Sequence, residues 1–368
     1  MFQIDRRILT HFDFLIPILV IPIIATSYFL ISEASVMLGN KQLVYYLVGL
    51  GVFLFFFITP IKKIEWIIPF FYWLTIILLI SVDFFGIAKL GARRWLEIPF
   101  VHFTIQPSEV FKPAFILMIA YLIKHNPPPE KGYGWKSFFK LSFYIVLPFI
   151  LIVKEPDLGT AMILLLLGYG MLFIIGVNKK IWITLIILVG VSGPFLYNNL
   201  HDYQKQRIAD FVGEKPSYHV KQSIIAIGSG GLTGKDKNEA TQTHYKFLPI
   251  ATSDFIFAYT VERFGFWGAF GIIVLYALLI VHLITLNFKL KEDYFAQVIT
   301  TGISLLIFFY MSINIAMTIG LAPVVGVPLP FFSYGGSSFI TFFALFGILE
   351  NLLAFRFDPT YKSIKYNL

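Results

Sequence analysis

The chain has 368 residues, of which 57% are hydrophobic and only 14% charged, with a mean hydropathy of +0.77 and a net charge of +8. Soluble domains carry about 25% charged residues, so a soluble globular protein is excluded, and runs such as "MILLLLGYGMLFIIGV" lack the two-residue alternation of a β-barrel. The absence of cysteine excludes disulfides and thiolate metal sites, and the bases lie mostly in connections between apolar runs, which is not a nucleic-acid signature.

These features predict an all-α polytopic membrane protein, one domain spanning 1–368. A hydrocarbon core of about 30 Å needs roughly 17–25 apolar residues per helix. About ten transmembrane helices follow, at 14–31, 43–59, 64–82, 108–124, 139–153, 158–177, 181–197, 267–287, 296–319 and 337–355. The first run is too long for the apolar core of a signal peptide and has no small-residue cleavage site after it.

In chain order, the first informative connection is 83–107. Its "LGARRWLEIPF" sets Arg93, Arg94 and Trp95 together. Trp favours a membrane interface, and the arginines suit either lipid headgroups or a specific phosphate. Next, "QPSEVFKP" opens the fourth span. Pro107 fits a helix start and Ser108 a cap. Glu109 and Lys112 are three apart and share a helix face, so they form a local ion pair, or a Glu that aims a Lys at a phosphate. The fifth span is short and requires Pro148 to be tolerated. "KEPDLGTA" then offers Asp157 as an N-cap, with a role at a site left open.

The longest connection, 198–253, is predicted as a large outer loop. Its "GSGG" at 228–231 is not followed by a Walker lysine and reads as a turn. After it comes "FLPIATSDFIFAYTVERFG". A full span starting at Asp254 would bury Glu262 and Arg263, so 254–263 reads as a short interfacial or re-entrant helix ending at Gly265. Asp254 is then either its N-cap or a general base in a partly desolvated site. The uncharged "APVVGVPLPFFSYGGSSF" contains three Pro and three Gly. Such backbone at membrane depth lines a cavity or is buried in protein, and Ser333 within it is a candidate for touching substrate.

Lys and Arg gather in one alternate set of connections: Arg6 and Arg7, Lys62 and Lys63, the four at 124–140, Lys179 and Lys180, Lys289 and Lys291, and Arg356, Lys362 and Lys365. The opposite short loops hold Lys41, Lys89, Arg93, Arg94 and Lys154. The positive-inside rule then puts both termini in the cytoplasm and the elaborate loops outside. Charges at membrane depth, here Glu109, Lys112, Asp254, Glu262 and Arg263, are functional hypotheses by default. Structural pairing is the alternative.

Taken together, "GARRWL", "QPSE" with its following Lys, "PDLGTA", "QSIIAIGSGGLTGK", "FLPIATSDFIFA" and "NIAMTIGLAPVVGVPLPFFSYGGSS" resemble the SEDS family of cell-wall polymerases, in the family's order and over nearly the whole chain. The short start "DRRILTHFDF" is more like the elongation branch than the division branch. The resemblance implies a peptidoglycan glycosyltransferase of the bacterial cytoplasmic (inner) membrane. Such an enzyme polymerises lipid II with release of undecaprenyl pyrophosphate, serving cell elongation and rod shape. It places the family's essential Asp at Asp254, its Glu and Lys at Glu109 and Lys112, and its Arg and Trp at Arg94 and Trp95. A class B penicillin-binding protein, a transpeptidase, is the implied partner, alongside other elongation-complex proteins. The chain departs from the family at Ile250, Ser253 and "VER", so a second carboxylate at 250 is lacking.

The chemistry suits these residues. Glycan transfer needs a base to deprotonate a sugar hydroxyl and cations for a pyrophosphate leaving group. Lys112, Arg94, Lys246 or Arg263 could supply the charge. Mg²⁺ or another divalent cation is an open option, although the acids do not cluster as an all-protein cage requires. The competing expectation is a lipid II flippase, since a ten-helix bundle with a broken Gly/Pro segment also suits a transporter.

Overall fold

The computed structural model describes residues 11–89, 92–98, 103–155, 157–198, 205, 209, 211, 213, 217–290 and 293–355. Each apolar run is a helix, because in hydrocarbon only a helix satisfies its own backbone groups. The helices are α1 (Leu15–Ala34), α2 (Val36–Ile58), α3 (Ile68–Phe85, entered through a 3₁₀ turn at Glu65–Ile67), α4 (Pro107–His125), α5 (Trp135–Lys154), α6 (Leu158–Ile175) and α7 (Lys179–Asn198). After the long connection come α8 (Tyr218–Gly230), a one-turn helix at Thr241–His244, α9 (Ile256–Lys289), α10 (Tyr294–Thr318) and α11 (Gly336–Ala354).

All ten predicted spans fall on helices, and eight helices are long and apolar enough to cross a membrane among the described residues. The protein is an all-α polytopic membrane protein. Pro148 is accommodated inside α5. α4, α10 and α11 are largely buried, whereas α2 presents most of its length outward. The bases predicted at Arg6, Arg7, Lys291, Arg356, Lys362 and Lys365, and part of the 198–253 connection, lie outside the described residues.

Two local departures shape the site. First, the 83–107 connection is not a plain loop. It folds into an antiparallel three-stranded sheet, β1 (Ile87–Lys89), β2 (Ala92–Ile98) and β3 (Phe103–Ile105), in sequential order. Ile87 pairs with Trp95 across β1–β2, and Leu96 with Ile105 across β2–β3. Each flanking strand is only three residues long, too short to show a periodicity in sequence. Second, the predicted short helix exists but starts at Ile256, and it runs into the following span through a break at Gly265 (φ 65°, ψ −164°). Its residues from Ile256 to Glu262 are buried in the protein.

The break at Gly265 is held by the "GSGGLTGK" segment; its "GSGG" at 228–231 reads as a turn in sequence, but residues 228–230 are the last of α8. Phe266 N donates to Gly231 O, Trp267 N to Leu232 O, and Lys235 N to Glu262 O. The backbone groups that the break frees are therefore satisfied by 231–235. Close approach demands the glycines: a Cβ at Gly230 would lie 2.1 Å from Val261 O, and one at Gly234 2.2 Å from Arg263 O. The neighbouring charges complete the seam. Buried Glu262 accepts from Gln242 N (2.9 Å), Thr243 N (3.0 Å) and Thr243 Oγ1 (2.7 Å). Arg263 reaches Glu33 on α1 through two contacts of 2.6 and 2.7 Å. Both acid and base are thus structural partners, as the pairing alternative expects.

Candidate active site

A polar cavity of about 370 Å³ opens where β2, the starts of α4, α6 and α11, and the segment before α9 converge. Five of the predicted site residues line it: Arg94, Trp95, Glu109, Asp157 and Asp254. Their convergence follows from local structure. β2 carries Arg94 and Trp95. Pro107 at the first position of α4, where its missing N–H costs nothing, brings Glu109 into the first turn. Asp157 caps α6, accepting from Thr160 N at 3.2 Å.

Asp157 does more than cap. Its Oδ2 also accepts from Gln106 Nε2 and Thr160 Oγ1, both at 3.0 Å, and lies 3.3 Å from Arg94 Nη1. The cap therefore tethers the Arg94 guanidinium at the cavity wall. Nearby Glu155 is buried with both carboxyl oxygens unpartnered. Burial, then the charges of Asp157 and Asp83, push its carboxyl up to about 8, against the pull of Arg94.

Asp254 is not the N-cap of its helix. Phe255 holds that position, and no side chain caps there. Asp254 is instead fixed through its backbone. Asn314 Nδ2, fully buried on α10, donates to Asp254 O at 2.9 Å and to Val327 O at 2.6 Å. Ser333 Oγ donates to Ser253 O at 2.6 Å, and Tyr334 N donates to Thr252 O at 2.8 Å. The carboxylate caps no helix and lines the cavity. Opposite it stands Gly326 (φ 69°), where a Cβ would lie 3.5 Å from Asp254 Oδ2. Burial raises the Asp254 pKa, while Arg94, the Ser253 hydroxyl and His219 act to lower it.

The uncharged loop behaves as its composition predicts. Gly326, Val327, Pro328, Tyr334 and Gly335 line the cavity, while Leu329 through Ser333 are buried. Four expectations change. Ser108 caps nothing: Gln106 is the cap residue, and the Ser108 hydroxyl is buried without a partner. Ser333 does not reach the cavity but braces the backbone beside Asp254. Lys112 is fully buried, paired with Glu109 and 4.7 Å over the Tyr310 ring, so its charge is spent inside the protein. Lys246 lines a separate cavity next to this one.

Sequence reasoning gave no role to Asn314, although it opens the quoted "NIAMTIGLAPVVG" stretch. It also missed Gln106 and Tyr310. A buried amide among Ile and Met residues is itself a signal, since burying one without partners is costly.

A model of the FTSW_RODA_SPOVE family, described as cell cycle protein, matches residues 3–357. The chain is 57% identical over 361 residues to a Helicobacter pylori protein named peptidoglycan glycosyltransferase MrdB, covering 98% of this chain and 94% of that one. An Escherichia coli K12 protein of the same name is 39% identical over 305 residues, 81% of this chain and 80% of the relative. Among solved structures, a chain from a peptidoglycan synthase complex, described as coordinating polymerization and crosslinking, superposes with a TM-score of 0.82 at 22% identity, covering 94% of this chain and 99% of that one. The rod shape determining protein RodA of Thermus thermophilus gives 0.70 at 22% identity, over 94% of this chain and 98% of that one.

Proposed function

Because the chain belongs to the FtsW/RodA/SpoVE family, we propose that it is a membrane-embedded peptidoglycan glycosyltransferase that builds glycan strands from lipid II for cell elongation, with Asp254 as its general base. The observation that carries this reading is the state of Asp254: a carboxylate that caps no helix, held by its backbone, facing a polar cavity at the edge of a helical bundle. In the reaction, Asp254 takes the proton of a sugar hydroxyl as its oxygen bonds to the anomeric carbon of a second sugar. The bond from that carbon to the lipid pyrophosphate breaks, and undecaprenyl pyrophosphate leaves. Arg94 is the cation on the wall of this cavity, and Glu109 presents a buried Oε2 with no protein partner, suited to accept from a substrate hydroxyl or amide.

Among the described residues no three His, Cys, Asp or Glu side chains converge to hold a metal ion. A Mg²⁺ requirement is therefore best met by an ion that arrives on the substrate's pyrophosphate, as this ion commonly binds. The flippase alternative is not favoured, since the 57% identical relative is named a glycosyltransferase and Asp254 lies in the segment before α9 rather than inside a span. The charge of the connections supports a cytoplasmic-membrane location with both termini inside. The likeness to a synthase complex supports a transpeptidase partner, a class B penicillin-binding protein.

The test is polymer formation from purified lipid II by the chain with its transpeptidase partner and Mg²⁺. Wild type makes glycan strands, and Asp254→Asn reduces the rate by at least about a hundredfold, the usual contribution of a general base. Equal rates would remove Asp254 from the chemistry. No polymer from a folded, complexed wild type would return the weight to transport.

A further inference from the structure

Beside the Asp254 cavity lies a larger one, about 620 Å³ in volume, and the two have opposite electrical character. Among the described residues, the charged side chains on the Asp254 cavity are Glu109, Asp157, Asp254 and Arg94; Lys112 neutralises Glu109 and Arg94 pairs with Asp157, which leaves Asp254 as its net charge. On the second cavity they are Lys237, Lys246 and Arg263, with His244, against the single acid Glu33. Glu33 and Arg263 neutralise each other as a pair. That leaves the exposed ammonium groups of Lys237 and Lys246 as its net charge.

The cavities share a wall. Pro249, Ile250, Ala251 and Thr252 face the larger one, and Ile250, Ser253 and Asp254 face the smaller. Ile250 sits in the left-handed region (φ 55°), a conformation that a β-branched residue adopts only when its surroundings enforce it. Ile250 is thus a strained residue common to both cavities. Along the larger cavity, Met37 and Leu38 at the start of α2 form an apolar edge, with Met37 63% exposed.

We propose that the second cavity is the phosphate site of a lipid-linked sugar diphosphate, holding the leaving pyrophosphate on Lys237 and Lys246 while the sugar passes Ile250 to reach Asp254. The inference rests on the transferase reading and deepens it. The physical reason is charge sorting. A diphosphate carries at least two negative charges, and a cavity whose unpaired charge is the Asp254 carboxylate does not attract it. The adjoining cavity, with its two unpaired lysines, attracts it. The lipid tail leaves over Met37 and Leu38 toward the bilayer.

The test is equilibrium binding, read without turnover, of radiolabelled undecaprenyl pyrophosphate to the full chain in nanodiscs containing phosphatidylglycerol. The Lys237→Gln/Lys246→Gln double variant is expected to bind about tenfold more weakly or worse, as lost charge-assisted contacts imply. The Lys237→Arg/Lys246→Arg variant restores binding, and Asp254→Asn stays within about twofold of wild type, because its cavity holds the sugar. Equal affinity of wild type and the Gln variant would overturn the site, as would an equal loss in Asp254→Asn. Inorganic pyrophosphate competing as well as the lipid would overturn the lipid assignment, and so would phosphatidylglycerol displacing the probe. A chain that binds the probe through the two lysines but makes no polymer would refute the transferase reading and leave the phosphate site standing.

Discussion

Asp254 illustrates how a carboxylate is made available for chemistry. Its backbone is held by Asn314, and the adjoining residues by Ser333 and Tyr334, so its side chain owes nothing to the fold. The acidity of the group follows from its surroundings. Burial favours the neutral acid, and the Arg94 charge opposes it. A general base works ionised, so the polymerisation rate falls as pH drops through the raised Asp254 value. Removing the opposing charge with Arg94→Gln raises that value further, and the acid limb of the pH–rate profile moves to higher pH. The position of the inflection, rather than the height of the curve, reads this effect. An unmoved inflection would show that Arg94 does not act on the base. Asp254, Glu109, Arg94, Trp95 and Asp157 stood out in the sequence beside apolar runs, and the family resemblance, more than that pattern, pointed to them as site residues. The role of Asn314 was not legible, because its meaning lies in two carbonyls, Asp254 O and Val327 O, that no local pattern brings near it.

At the scale of elements, the decisive feature is the break in α9. The sequence shows where it must fall, since Gly265 follows an acid and a base that a continuous span would bury. It does not show what holds the break, because the seam joins residues 30 positions apart, and "GSGGLTGK" has the composition of an ordinary turn. The structure predicts a contrast between two glycines of that segment. Gly230→Ala drives a Cβ into Val261 O and is expected to destabilise by about 1–3 kcal/mol. Gly228→Ala, where nothing lies within 4 Å of the added atom, should leave stability unchanged or slightly improved through helix propensity. Thermal unfolding of the two purified variants measures the difference; equal melting temperatures would mean that the seam is not tightly packed. The three-stranded sheet before α4 was likewise invisible to sequence. Its strands pair within a single connection, and "ARRWLEI" has charges where an alternating strand would need apolar residues.

The molecule as a whole was the most legible, because the hydrophobic runs that a bilayer requires are long and unambiguous. All ten fall on helices. Sidedness is a separate inference from loop charge, and the lack of cysteine makes it directly measurable. Asn238 and Glu130 are both exposed. A single cysteine at Asn238→Cys should react with a membrane-impermeant maleimide in intact spheroplasts, and one at Glu130→Cys only after permeabilisation. The reverse pattern would invert the assigned orientation and put the Asp254 cavity on the cytoplasmic side, where the proposed polymerase could not work.

The clamp around Gly265 has a mechanical consequence. The limb of α9 from Ile256 to Phe264 is joined to the spanning limb by one pivot, and its backbone is riveted to residues 231–235. Asp254 sits two residues before the start of that limb, anchored to α10 through Asn314. The 231–235 segment is therefore coupled through the limb to the proposed base. A protein that gripped the segment around 231–235 from outside could retune the base against its cavity without ever touching the substrate.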